Sequence, residues 1–278
     1  MDNNDLIRAI SESGFPLQLG LKQLLDSVPN WHCESNEHPW RDPLTNDEKF
    51  IDLVVIANTG HQSMVVECKR AKDTQWIFLR DPAKGQSNDR LIVRGRVVSV
   101  VPSTNSGINE WIDVTCFPGS PQAEFCVIRK SGQRSQELLE KTAAEITRAA
   151  NALAEQALSI HNRAPRGLAA RSSSLGHLYV PVIVTTAQLL ICDADYSKLD
   201  WASGEVPDAQ AIGAPVIRFH KSLGSGDPES SRAMSHGAFA DENGRSVLIV
   251  EASHFAEFLN RWELTKSNNR TTLEHIFA

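Results

Sequence analysis

The sequence predicts an α/β fold, with a mixed central sheet flanked by helices, a β-rich insertion and a C-terminal appendage. Three observations lead to it: apolar residues at helical spacing near the N-terminus, short β-branched apolar runs after them, and a long alanine-rich helix before another apolar run. A chain of 278 residues can bury a large core without disulfides. We therefore expect one domain over residues 1–278, with its core at about 5–70 and 134–192, the insertion at 71–133 and the appendage at 193–278.

The N-terminal segment predicts helices and then an edge strand. Apolar residues recur at helical spacing over 6–28, and Gly14 and Pro16 divide them into a short helix and a second helix that starts near Pro16. Residues 31–38 form a polar run with the character of an edge strand. A loop rich in proline, aspartate and asparagine follows it.

The remaining elements alternate between sheet and helix. Two apolar strands are predicted at 50–57 and 64–69, and a glycine-containing loop of hairpin length separates them. The clearest helix covers 136–160, with leucine, isoleucine and alanine along one face. The apolar, β-branched run at 178–192 predicts a buried strand and its continuation.

Composition and charge limit the class of protein. The chain has 34 acidic and 28 basic residues, a formal net charge of −6. This balance disfavours a protein that coats DNA or an anionic membrane through bulk charge, so any polyanion site must be local. The N-terminus lacks the basic and apolar run of a signal peptide, and no apolar stretch is long enough to span a bilayer. The five cysteines are odd in number and never spaced as CxxC. We expect free thiols and a cytoplasmic protein.

Three ionisable residues lie on the two consecutive apolar strands. Asp52 is near the start of the first, and Glu67 and Lys69 share one face at the end of the second. Two carboxylates on neighbouring strands can hold Mg²⁺, which keeps its other positions for water and phosphate oxygens. A lysine beside them can orient the attacking water and offset charge on the phosphate. The plain structural alternative is a strand-start aspartate and a surface Glu–Lys pair.

The order of these elements, with the residues Ile51-Asp52 and Glu67-Cys68-Lys69, resembles the PD-(D/E)xK nuclease superfamily, which has the restriction endonuclease-like fold. The resemblance implies that Asp52 and Glu67 ligate Mg²⁺ or Mn²⁺ and that Lys69 assists the nucleophile. The implied reaction is hydrolysis of phosphodiester bonds in nucleic acid, with DNA favoured over RNA as the substrate. Its biological settings would be restriction or antiviral defence, or repair.

The sequence departs from the superfamily pattern at two places. Ile51 stands where the motif has proline. Many members carry an acidic residue on the first helix, but this chain has Gln18 after the Phe-Pro-Leu run, and its nearest carboxylate is Glu12. Gln18 could still contribute its side-chain carbonyl, so Gln18 and Glu12 are both candidate site residues.

The last expectations concern basic residues near the motif and the binding partners of the protein. Arg70 and Lys72 follow the Glu-x-Lys motif and are candidate nucleic-acid contacts, although strand alternation can direct Arg70 away from Lys69. One alternative is a catalytically inactive member of the same fold that binds nucleic acid or a partner protein. The other is an unrelated α/β protein. A homodimer, or a partner that supplies recognition, is also expected, and no membrane partner is.

Overall fold

Two β-sheets and four helices make up the computed structural model within the residues that it describes, which are 2–80, 91–101, 106–130, 136–163, 176–222 and 244–265. The helices are α1 (Asn3–Glu12), α2 (Phe15–Leu25), α3 (Gln136–Arg163) and α4 (Phe255–Arg261). The strands are β1 (Trp31–Arg41), β2 (Glu48–Ala57), β3 (Gln62–Lys69), β4 (Thr74–Leu79), β5 (Leu91–Val101), β6 (Ser106–Phe117), β7 (Gln122–Ala123), β8 (Phe125–Lys130), β9 (His177–Thr185), β10 (Gln188–Ala194), β11 (Ala209–Gly213), β12 (Val216–Ser222), β13 (Gly244–Glu251) and β14 (Glu263–Thr265). The fold is therefore a mixed α/β fold, as the sequence predicts.

A sharp break separates the two N-terminal helices. Gly14 lies between them with a φ of 84°, in the left-handed region that glycine adopts at little cost. Pro16 occupies the first turn of α2, where its missing N–H is not needed. This confirms the predicted division. Helix α2 buries Leu21 and Leu25, whereas α1 buries none of its residues.

The first half of the central sheet is an antiparallel meander of β1, β2 and β3. After strands β4 to β8, the chain forms α3 and returns as β9, which pairs parallel to β3. Helix α3 packs on the sheet through buried residues such as Leu139, Ala143 and Ile146. The predicted long helix is confirmed. Together these elements give the order helix, three antiparallel strands, helix and parallel strand.

Strands β5, β12 and β13 extend the central sheet beyond β9. Strand β13 pairs parallel to β9, β12 pairs antiparallel to β13, and β5 pairs antiparallel to the start of β9. The chain segments expected to form the insertion and the appendage therefore contribute strands to the central sheet. Gly95 permits the approach of β5, because a Cβ there would lie 2.6 Å from Leu178 Cδ1.

The smaller sheet has the order β11-β10-β4-β8. The apolar run at 178–192 thus divides between two sheets, since β9 belongs to the large one and β10 to the small one. One apolar core lies on the α3 side of the central sheet, and the other lies on the side of α2 and α4. None of the described helices has the length and apolar character needed to cross a membrane.

Candidate functional site

The candidate site forms where the pairing of β2 with β3 stops. The ladder runs from Ile56–Ser63 to Leu53–Val66, and the next residues are Asp52 on β2 and Glu67 on β3. The ladder does not continue to Asp52 and Glu67. Instead, the Asp52 carboxylate turns toward β3, and its Oδ2 accepts a hydrogen bond from the Cys68 N–H at 2.6 Å. The carboxylate therefore lies against the backbone between Glu67 and Lys69.

The side chain of Gln18 holds the backbone of Asp52 through a hydrogen bond. It lies on the buried face of α2, with 6% of its surface exposed, and its Nε2 donates to the Asp52 carbonyl oxygen at 2.9 Å. A buried amide and a backbone carbonyl satisfy each other in this contact. The structure therefore places Gln18 at the site as a support for Asp52, through its amide nitrogen.

Glu67 and Lys69 lie side by side, as the alternation of a strand predicts. Lys69 Nζ donates to Glu67 Oε1 at 2.6 Å, and the two side chains are 31% and 24% exposed. Both are thus partly sheltered and still reachable from solvent. The structure brings Asp52, Glu67 and Lys69 together at one end of β3.

Burial and mutual repulsion govern the charges of the two carboxylates. Burial raises the pKa of Asp52, and the hydrogen bond from the Cys68 N–H opposes that rise only in part. Burial also raises the pKa of Glu67, and the nearby negative charge of Asp52 raises it further. Two carboxylates in this condition are stabilised as anions by a bound cation.

Two further glutamates influence the site, and sequence reasoning missed both. Glu37 on β1 lies between the pairs Asn36–Leu53 and His38–Ile51, which places it opposite Asp52. Its charge raises the pKa of Asp52, and its φ of 52° is in the left-handed region. Glu145 on α3 acts in the same way on Glu67. Both residues reach the site through strand register and helix packing, which residue spacing in the sequence does not reveal.

A buried ionic cluster ties α3 to the strands near the site. Asp42 follows β1 and is fully buried; Arg148 on α3 donates to both of its carboxylate oxygens, at 3.0 and 2.9 Å. Lys49 on β2 also donates to Asp42, at 2.9 Å, and pairs with Glu145. Burial alone would raise the pKa of Asp42, but the bonds from Arg148 and Lys49 bring it well below its ordinary value.

The other predicted residues lie in a separate cleft. Glu12 ends α1 and pairs with Arg8 at 2.9 Å; together with Arg70 and Lys72 these residues line a cleft beside α1. The helix break at Gly14 gives α1 and α2 separate axes, so helical spacing does not carry Glu12 alongside Gln18. Arg70 and Lys72 are exposed there.

The carboxylates are the side chains at the site that could hold a metal ion. Across the part of the chain that the structure describes, no three His, Cys, Asp or Glu side chains are grouped to hold a metal ion. Mg²⁺ is commonly held by one or two carboxylates, with water and substrate phosphate oxygens in its remaining positions. Asp52 and Glu67 provide two carboxylates of this kind, while Cys68, whose thiol pKa is raised by burial, offers no ready thiolate.

Comparison of the chain with protein-family models, with curated proteins and with solved structures found no match.

Proposed function

We propose that this protein is a divalent-metal-dependent nuclease with a restriction endonuclease-like core. It hydrolyses phosphodiester bonds in nucleic acid, and the favoured substrate is DNA. The observation that carries the proposal is the position of the Asp52 carboxylate on the Cys68 N–H, between Glu67 and Lys69. A surface Glu–Lys pair requires no half-buried aspartate that accepts a hydrogen bond from the backbone between its two members. The arrangement therefore favours a site over the plain structural alternative.

The order of elements supports the same proposal. Helix α2, the antiparallel strands β1 to β3, helix α3 and the parallel strand β9 follow the sequence of elements expected for a restriction endonuclease-like core. The proposed ligands lie on its second and third strands. The order of elements and the position of the carboxylates thus both support the proposal.

Each residue has a distinct role in the proposed reaction. Asp52 and Glu67 would hold Mg²⁺ or Mn²⁺, and when bound the metal supplies positive charge that stabilises the phosphate in the transition state. Gln18 holds the Asp52 backbone in place through the bond to its carbonyl oxygen. Lys69, next to Glu67, would position the attacking water and place a positive charge beside the phosphate oxygens.

The experiment is a cleavage assay with supercoiled plasmid, single-stranded DNA and RNA, each in Mg²⁺, in Mn²⁺ and in chelator. We expect metal-dependent cleavage by the wild type and its loss in Glu67→Gln and Lys69→Ala. Glu48→Gln, which changes an exposed glutamate on β2, is the matched control and should cleave normally. Failure of the folded wild type to cut any of the three substrates with either metal would refute the enzymatic proposal.

A second candidate function is a catalytically inactive module of the same fold that binds nucleic acid or a partner protein. The observation in its favour is the use of the Gln18 amide on the Asp52 carbonyl, so that α2 contributes no carboxylate to the site. This candidate predicts binding of nucleic acid, or of a partner, without metal-dependent cleavage. The same assay, run beside a binding measurement, separates the two functions.

A further inference from the structure

A cleft of about 650 Å³ opens between α1 and the segment that follows β3. Its walls carry the basic residues Arg8, Arg70 and Lys72 and the acidic residues Glu12 and Asp73. Arg70 directly follows Lys69 in the chain, so the cleft is one residue away from the candidate site. Positive charge thus predominates, by three side chains to two, in a cleft that includes the residue next to Lys69 in the chain.

The three basic side chains of the cleft differ in whether they form an ion pair. Within the described residues, Arg70 and Lys72 form no ion pair, whereas Arg8 donates to the Glu12 carboxylate at 2.9 Å. The pKa of Glu12 is lowered first by this hydrogen bond and by the charge of Arg8, and then by the charges of Arg70 and Lys72. All three cations therefore act on one carboxylate.

An anion at the position of Glu12 would experience the same three positive charges. A phosphodiester oxygen fits this position, because guanidinium groups bind phosphate through parallel N–H donors and a lysine ammonium adds a point charge. A phosphate that displaces Glu12 would release Arg8 from its internal pair. Helix α1 buries none of its residues, so Arg8 and Glu12 are both exposed at the cleft.

We propose that this cleft binds the phosphodiester backbone of one strand of the nucleic acid and that the Glu12 carboxylate occupies the place of a phosphate in the free protein. The inference rests on the nucleic-acid binding that the proposed function includes. It extends that function by assigning Arg8 and helix α1 to the surface that binds the nucleic acid. It also gives Glu12 the role of an internal competitor for phosphate.

The test measures the anisotropy of a fluorescein-labelled single-stranded oligonucleotide in chelator, titrated over a range of salt concentrations. Arg8→Ala, Arg70→Ala and Lys72→Ala should each weaken binding and reduce the slope of log affinity against log salt by about one unit. Glu12→Gln should change affinity in the opposite direction and raise it by about two- to fivefold, the range expected for removal of an exposed ion pair.

Helix α4 supplies matched controls. It carries an exposed pair of the same spacing, Glu257 with Arg261 at 3.3 Å. Arg261→Ala and Glu257→Gln change the net charge of the protein exactly as Arg8→Ala and Glu12→Gln do. The inference requires both α4 variants to bind the oligonucleotide like the wild type. An equal gain in Glu12→Gln and Glu257→Gln would assign the effect to net charge and overturn it.

Two further outcomes complete the test. An oligonucleotide with an uncharged methylphosphonate backbone should bind equally to the wild type and to the Arg70→Ala variant; a preserved difference between them would overturn phosphate recognition. Cleavage by a protein whose cleft variants bind normally would overturn the cleft and leave the nuclease intact. The expected binding pattern without any cleavage would instead support the cleft and refute the nuclease.

Discussion

The hydrogen bond between the Asp52 carboxylate and the Cys68 N–H organises the site at the level of single residues. Alternation along a strand is sufficient to predict that Glu67 and Lys69 share a face, because it depends only on a period of two. The bond from Asp52 is not predictable in this way, since it arises where the ladder between two strands ends. The same limit applies to Glu37, whose position opposite Asp52 depends on register and on a left-handed backbone.

Gln18→Leu should destabilise the protein by about 1–3 kcal/mol, because it leaves the Asp52 carbonyl without the donor that satisfies it. The free energy of unfolding, measured with urea, tests this expectation. Gln23→Leu is the matched control, since Gln23 is an exposed glutamine on the same helix. Equal stability of the two variants would show that the Gln18 contact contributes nothing to the fold.

Glu67→Gln should alter how the stability of the metal-free protein depends on pH. Burial and the charge of Asp52 raise the pKa of Glu67 above its unfolded value, so the folded state binds the proton more tightly than the unfolded state. The stability from this proton is full below the unfolded pKa and is lost as pH rises through the folded pKa.

In Glu67→Gln that loss is absent. Thermal melts in chelator, run from mildly acidic to neutral pH, should show the variant gaining stability relative to the wild type as pH rises. Parallel profiles for the two proteins would contradict the raised pKa of Glu67 in the folded state. Addition of Mg²⁺ at neutral pH should stabilise the wild type and leave the variant less affected, because the bound cation offsets the same charges.

At the level of elements, sequence patterns identify helices and strands better than they identify partners. The break between α1 and α2 follows from Gly14 and Pro16, whose backbone preferences are local. The pairing of β13 with β9 joins residues far apart in the chain, and hydrophobicity alone does not specify it. The break at Gly14 also separates the axes of α1 and α2, and Glu12 at the end of α1 lies in the cleft with Arg8 and Arg70.

The Asp42 cluster fixes α3 against the sheet, and Asp42→Ala should therefore cost about 3–5 kcal/mol by leaving the charge of Arg148 without its partner. Chemical denaturation measures this cost. As a control, Glu48→Ala removes an exposed partner of Arg41 and should cost no more than about 1 kcal/mol. A small loss in Asp42→Ala would show that apolar packing alone positions α3.

For the whole molecule, the net charge of −6 opposes nucleic acid, and the proposed metal changes that balance locally. Without metal, the acidic balance disfavours a polyanion, and basic places such as the cleft beside α1 are local exceptions. A cation held by Asp52 and Glu67 would offset their charge at the point where phosphate must approach. Binding of nucleic acid should therefore depend on the metal as well as on the cleft.

Lys69→Ala allows this dependence to be measured, because it keeps both carboxylates and is expected not to cut. Its affinity for a labelled oligonucleotide should be higher in Mg²⁺ than in chelator at the same ionic strength. The triple variant that adds Asp52→Asn and Glu67→Gln should show no such gain, since it lacks both carboxylates proposed to hold the cation. A gain of equal size in both proteins would assign the effect of Mg²⁺ to general screening of the acidic surface. That result would refute a contribution of the metal site to nucleic-acid binding.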